Sequence, residues 1–306
     1  MKQKLLITGG SGLLALNWAA QVKDRYNVIL ALHTREVNFD GVSTVRLAQA
    51  SREAMADQFR EIRPDIVIHT AGLTSVEACE QNIQQAREIN TILAADVAAA
   101  AAAAGSSMVH ISTDHLFDGS KPNVTEEEVC HPVNAYGLTK LEAEKMVLAA
   151  APGALVIRTN FFGWGPSYRS SFTDTILQAL RQNREINLFT DVYFTPVLMQ
   201  CLIDAVHTLL DQQQKGIFHV VGGERVSKYF FGKQLAAAFN LNGSLIKPIL
   251  FEDKQGLTRR PLDMSLSNHR LVQQLGHSLP ALAEQFRQLQ QLESMESIQN
   301  VISTKG

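Results

Sequence analysis

The chain predicts an α/β fold in which a parallel β-sheet is doubly wound, with helices on both of its faces. Three observations carry that reading. Short apolar runs alternate with helix-like segments through the first half of the 306 residues. Those runs are apolar on both faces instead of alternating, as strands covered on both sides require. A glycine-rich turn joins the first strand to the first helix, which suits a βαβ unit with a right-handed crossover.

The expected strands are Lys4–Thr8, Asn27–Leu32, Asp65–Thr70, Ser107–Ser112 and Ala154–Arg158, all rich in Val and Ile. Helical patterns fall between them at 12–24, 51–62, 82–104 and 134–151. The alanine run Ala98–Ala104 reads as a tightly packed helix built from the best helix former. Beyond residue 160 the pattern loosens. Phe161–Arg169 is aromatic and rich in Gly and Pro, which suits a loop over a site. Helices are expected at 171–182, 198–213, 228–240 and 279–296, a strand within Gly216–Gly222, and irregular chain at 243–263. The expected division is a nucleotide-binding domain over 1–160 and a smaller C-terminal lobe over 161–306 that returns elements to the sheet.

Composition narrows the function. A hydrophobic fraction of 45% supports a sizeable core, and a net charge of −2 gives no footprint for nucleic acid or an anionic membrane. The apolar run at Leu5–Ile7 is too short for a signal-peptide core, and no stretch reaches the length of a membrane span. Cys79, Cys130 and Cys201 are scattered, which argues for reduced thiols in the cytoplasm and against a zinc site; no metal is expected.

Thr8-Gly9-Gly10-Ser11-Gly12-Leu13-Leu14-Ala15 follows the first strand and opens the first helix. Glycines there let the backbone approach a pyrophosphate at the helix N-terminus, where free N–H groups favour anions. Hence the fold is expected to be Rossmann-like. A carboxylate at the end of the second strand would grip the ribose hydroxyls of NAD. This chain has Ala31-Leu32-His33-Thr34-Arg35 there, with no acid until Glu36. Arg35, with His33, matches a 2′-phosphate instead, so NADP(H) is preferred and NAD(H) is the second choice.

The chemistry is expected from Tyr136-Gly137-Leu138-Thr139-Lys140 and from Ser112-Thr113-Asp114 at a strand end. Residues four apart share a helix face, so Lys140 would stand beside Tyr136 and lower the cost of phenolate. The phenol is then a candidate general acid or base. Thr113 sits at the C-terminal sheet edge, where ligands bind in open parallel sheets. His69 and His110 read as satisfied core residues, and Asp118 with Glu126, Glu127 and Glu128 as a solvated loop.

Glycine turn, strand-end Thr113 and the Tyr136/Lys140 pair together resemble the extended short-chain dehydrogenase/reductase family. Ser112–Gly119, His131–Glu144 and Thr74–Glu80 are similar to the dTDP-4-dehydrorhamnose reductase group within it, over essentially the whole chain. The resemblance implies that Gly9, Gly12, Leu13, Leu14 and Ala15 hold the cofactor pyrophosphate. Ala71 and Gly72 would line the adenosine and ribose path. Lys140 would bind the nicotinamide ribose and depress the Tyr136 pKa. Tyr136 would protonate the C4 oxygen of a nucleotide-linked 4-keto-6-deoxy sugar, with Thr113 orienting it. Thr74, Val76, His115, Phe161 and Arg260 would meet the sugar nucleotide. A homodimer is compatible with the resemblance.

The departures fall on the substrate side. His115 stands where the group usually has Tyr, Phe161 where it has Trp, and Val192–Thr195 where Gln and Gly are usual. Related dehydratases carry Asp-Glu after the threonine; Asp114-His115 lacks that glutamate. A nucleotide-sugar epimerase remains an alternative, as does a non-catalytic NADP-binding subunit like that of methionine adenosyltransferase.

Overall fold

The computed structural model describes residues 2–49 and 51–293, with the backbone of 302–304. Its centre is a seven-stranded sheet of β1 (Lys4–Thr8), β2 (Asn27–Leu32), β3 (Ser43–Arg46), β4 (Ile66–His69), β5 (Ser107–Ile111), β6 (Leu155–Arg158) and β7 (Gly216–His219). The spatial order is β7-β6-β5-β4-β1-β2-β3, and every pairing is parallel. Strand order therefore reverses between β1 and β4, where an open parallel sheet leaves a crevice at its carboxyl edge.

Consecutive strand residues serve opposite faces, which explains their unbroken hydrophobicity. Leu5 and Ile7 join one cluster with Leu16 and Trp18 of α1 (Leu13–Val22), whereas Leu6 joins another with Phe59 of α2 (Arg52–Ile62). Ala94, Ala98, Ala100 and Ala101 of α3 (Leu93–Ala103) also lie in that second cluster, beside Ala143 and Val147 of α4 (Ala135–Ala150). On the first face, Trp18 Nε1 donates to His207 Nε2 at 3.0 Å and ties α1 to the helix Met199–Asp211.

Two elements differ from expectation for physical reasons. β3 has no apolar run because it is a short edge strand, paired only with β2 and mostly exposed. The segment expected to be irregular at 243–263 holds a strand, Ile246–Ile249, that pairs in parallel with Ile186–Phe189. Pro248 within it hides the pattern and is tolerated because this strand lies at an edge. The helix expected at 279–296 is Leu282–Glu293; positions 294–296 lie outside the described residues. Among the described residues no helix is long and apolar enough to cross a membrane.

Candidate active site

The glycine turn is shaped by close approach. Gly9 has a φ of +70°, and a Cβ on it would lie 2.8 Å from Ala71 Cα at the end of β4. The Gly12 amide donates to the Gly9 carbonyl at 2.7 Å, and Gly12 opens α1 without any side-chain cap. First-turn amides of α1 are therefore left to meet an anion. Two adjoining cavities of about 380 and 370 Å³ meet over this turn and share Gly12, Thr70, Ala71, Gly72 and Arg169 in their walls. The first reaches His33 and Arg35; the second reaches Leu13, Leu14, Thr113, Tyr136 and Lys140. This makes one elongated cleft along the switch point, with a bare backbone cradle at its middle. Glu36 is engaged elsewhere, bonded to Arg46 Nη2 at 2.7 Å.

The second cavity ends on α4. Asn134 caps that helix by accepting from Gly137 N at 2.9 Å, which fixes Tyr136 in its first turn. Tyr136 is buried beside Thr113. Burial pushes its phenol up to about 12, with the neighbouring Thr113 hydroxyl opposing. The expected depression of the Tyr136 pKa by Lys140 is thus corrected: desolvation dominates, and the ammonium is directed elsewhere. Lys140 Nζ donates to the Ile111 carbonyl at 2.7 Å and lies 3.3 Å from His110 Nε2. Burial lowers Lys140 to about 8, against the pull of Glu144. At neutral pH the phenol keeps its proton and the amine is mostly charged.

A pH dependence follows. If the ammonium is required, kcat/KM should fall as pH rises through about 8, where Lys140 loses its proton, well below the phenol at about 12. A flat profile from pH 7 to 9.5 would remove that requirement.

Gly137 lets α4 press on the threonine loop, since a Cβ there would stand 2.3 Å from the His115 carbonyl. Gly137→Ala is expected to displace Tyr136 and cut turnover about 100-fold, the order of loss for a misplacement near 1 Å. Unchanged steady-state kinetics would refute this.

His69 and His110 lie fully buried and stacked, with ring centroids 5.3 Å apart. The expectation that both are satisfied core residues is corrected: Thr8 Oγ1 meets His69 Nδ1 at 2.7 Å, but His69 Nε2 and His110 Nδ1 have no hydrogen-bond partner among the described residues. Burial holds both neutral, His69 at about 3 and His110 well below its ordinary value. Glu126 is turned inward, not solvated, accepting from His219 N at 2.8 Å.

On the substrate side Thr74, His115 and Phe161 line the second cavity. Val76 and Arg260 stand outside its wall, Arg260 close enough to act on the His115 ring electrostatically. Val76 packs in the cluster around Tyr136, and Arg260 is ion-paired with Glu77. His115 Nδ1 and Thr159 Oγ1 are buried without a hydrogen-bond partner among the described residues, and both residues face this cavity. Such orphaned polar atoms suit a ligand rich in hydroxyls.

Several side chains at the site escaped sequence reasoning. Asn90 lies in a π-helical turn, Glu88–Ile92, and bonds Leu73 N at 2.7 Å and Thr139 Oγ1 at 3.1 Å, joining two walls of the cleft. Asp114 accepts from Asn160 Nδ2 at 2.5 Å. Lys228 places its ammonium 3.3 Å from the centre of the Phe194 ring, and burial lowers it to about 8 while Asp114 opposes. The signal for Lys228 was a cation at the first position of a largely apolar helix, Lys228–Ala238, whose other cation is Lys233.

Fold and site together define an extended short-chain dehydrogenase/reductase. Residues 3–294 match the model of the RmlD substrate binding domain family, and the chain belongs to that family. It is 30% identical to dTDP-4-dehydrorhamnose reductase of Sinorhizobium fredii, over 94% of this chain and 96% of that protein. It is 29% identical to methionine adenosyltransferase 2 subunit beta of Xenopus laevis, over 88% of this chain and 81% of that one. A solved dTDP-4-dehydrorhamnose reductase from Clostridium acetobutylicum superposes with a TM-score of 0.82 at 27% identity, covering 96% of this chain and 100% of the other.

Proposed function

We propose that this protein reduces the C4 keto group of a nucleotide-linked 4-keto-6-deoxy sugar with NADPH, as the name of its reductase relatives suggests. One observation carries the reading: a buried phenol that holds its proton, beside Thr113, sits at one end of a cleft whose middle is a bare glycine cradle. The cradle fits a dinucleotide, because a side chain at Gly9 would fill the space beside Ala71. A reduced nicotinamide bound there supplies the hydride.

The chain's own residues do the rest. Gly9, Gly12, Leu13 and Leu14 seat the pyrophosphate, Ala71 and Gly72 flank the ribose, and Arg35 meets the 2′-phosphate. Thr113 donates a hydrogen bond to the C4 oxygen and orients it toward Tyr136. As C4 becomes tetrahedral, Tyr136 gives its proton to that oxygen, which stays on C4 as the product hydroxyl. Lys140, held by the Ile111 carbonyl, offsets the phenolate that forms. Thr74, His115 and Phe161 face the sugar nucleotide.

In this reading residues 1–160 form the cofactor-binding domain and 161–306 mainly the substrate-binding lobe, with elements returning to the sheet. Three free thiols fit the reducing cytoplasm. Exposed Ile83, Ile92, Leu138 and Met146 on neighbouring helices suit a homodimer.

The test follows absorbance loss of NADPH with dTDP-4-keto-6-deoxy sugar generated in situ, and NADH in parallel. Consumption of NADPH supports the reductase. Similarity to methionine adenosyltransferase 2 subunit beta favours a second reading, a cofactor-binding subunit. Binding without consumption, across several 4-keto sugar nucleotides, would favour it.

A further inference from the structure

A loop from the C-terminal half crosses the cleft at its middle. Its base is closed by one carboxylate: Asp174 Oδ2 accepts from Gly165 N at 2.9 Å and from Ser171 N at 2.7 Å. On one side Trp164 is buried and donates Nε1 to the Leu289 carbonyl at 2.9 Å. On the other, Ser171 and Asp174 form a capping box on the helix Phe172–Arg181. The loop is thus tied at both ends, and the residues between them lie over the glycine turn.

Two side chains at the tip reach opposite banks. Tyr168 donates its hydroxyl to the Ser11 carbonyl at 2.8 Å, and its ring lies against the Arg35 guanidinium, 4.4 Å from ring centre to Cζ. Arg169 donates Nη2 to Thr74 Oγ1 at 3.3 Å and stands in the wall of both cavities where they join. A guanidinium packed against a ring has the plane of its N–H donors set by that ring. That is the arrangement a phosphate monoester at the ribose 2′ position would use.

We propose that the 165–171 loop is a cofactor clamp in which Tyr168 holds Arg35 for the 2′-phosphate and thereby sets the preference for NADP(H). Arg169, from the same loop, lies over the pyrophosphate. The inference rests on the dinucleotide reading of the cleft and adds a residue from the opposite half of the chain to it. The two cations then divide the labour: Arg35 with Tyr168 discriminates between cofactors, and Arg169 binds both alike.

Direct binding of NADPH and NADH, followed by fluorescence of the reduced nicotinamide without sugar, tests the clamp. Arg35→Ala and Tyr168→Ala should each weaken NADPH about 10-fold and NADH less than about 2-fold, the scale of a partly desolvated cation–ring contact. Combining them should add little to either alone, because both act through one contact. Tyr168→Phe keeps the ring and loses only the Ser11 bond, so it should stay within about 2-fold of wild type. Arg169→Gln should weaken both cofactors equally. Equal loss of NADPH and NADH in Tyr168→Ala, or no loss of either, would overturn the clamp while leaving the dinucleotide site standing. Wild-type protein that binds neither cofactor would instead sink the reading of the cleft, and the clamp with it.

Discussion

Tyr136→Phe is expected to lower kcat by about 10²–10⁴-fold, the range a positioned general acid contributes, and to leave NADPH affinity within about 2-fold. The ring is not the issue. It packs with Val76, Cys79, Ala86 and Ala135 and meets His115 edge-on at 5.4 Å, contacts that phenylalanine keeps. Only the hydroxyl is lost, and Thr113 retains Asp114 Oδ1 and His115 N, each at 3.3 Å. Stability should therefore change little, and a melting curve close to wild type would show the defect to be chemical. The cofactor cradle at Gly9 and Gly12 lies away from the substitution, so binding and turnover should separate. A variant that keeps more than a tenth of the wild-type kcat would mean that another group delivers the proton.

What was legible in the sequence is what short-range physics decides. The strands β1, β2, β4, β5 and β6 announce themselves because burial on both faces demands apolar residues on both. Tyr136 and Lys140 were legible because four residues on a helix are one turn. Gly9 was legible because only glycine adopts its φ beside Ala71 without strain. What was hidden is long-range or irregular. The π-helical turn that aims Asn90 has no periodic signature within an otherwise ordinary helical stretch. Tyr168 comes within reach of Arg35 only because Asp174 closes the base of its loop. The Tyr136 pKa went the other way because pairing with Lys140 was read from spacing, whereas the strength of burial depends on walls contributed by distant segments.

The face of α4 that carries Tyr136 and Lys140 continues one turn further to Glu144, and there scaffold and chemistry are joined. Glu144 and Arg158 form an ion pair at 2.8 Å with side chains 2% and 3% exposed. Ser112 Oγ donates to Glu144 Oε1 at 2.5 Å, which ties down the residue between the Ile111 carbonyl that holds Lys140 and Thr113. Glu144→Leu is expected to destabilise the protein by about 3–5 kcal/mol, because it strands a guanidinium in the core. Of the remaining neighbours of Arg158, Cys130 Sγ at 3.3 Å, neutral His219 and the Phe117 ring do not balance its charge, and the pull of Glu126 is weaker than that of Glu144. Glu144→Leu with Arg158→Met should regain most of that loss in urea unfolding, since an apolar pair of similar volume avoids both desolvation penalties. Activity should not return with it. Glu144 favours the charged form of Lys140, so its removal should move the alkaline limb of kcat/KM below about 8. Ser112, without its acceptor, should also hold Thr113 less firmly and reduce kcat. A double variant with wild-type stability and an unmoved pH profile would confine the ion pair to a structural role. Recovery of stability with a shifted limb would make Glu144 a positioning residue for Lys140.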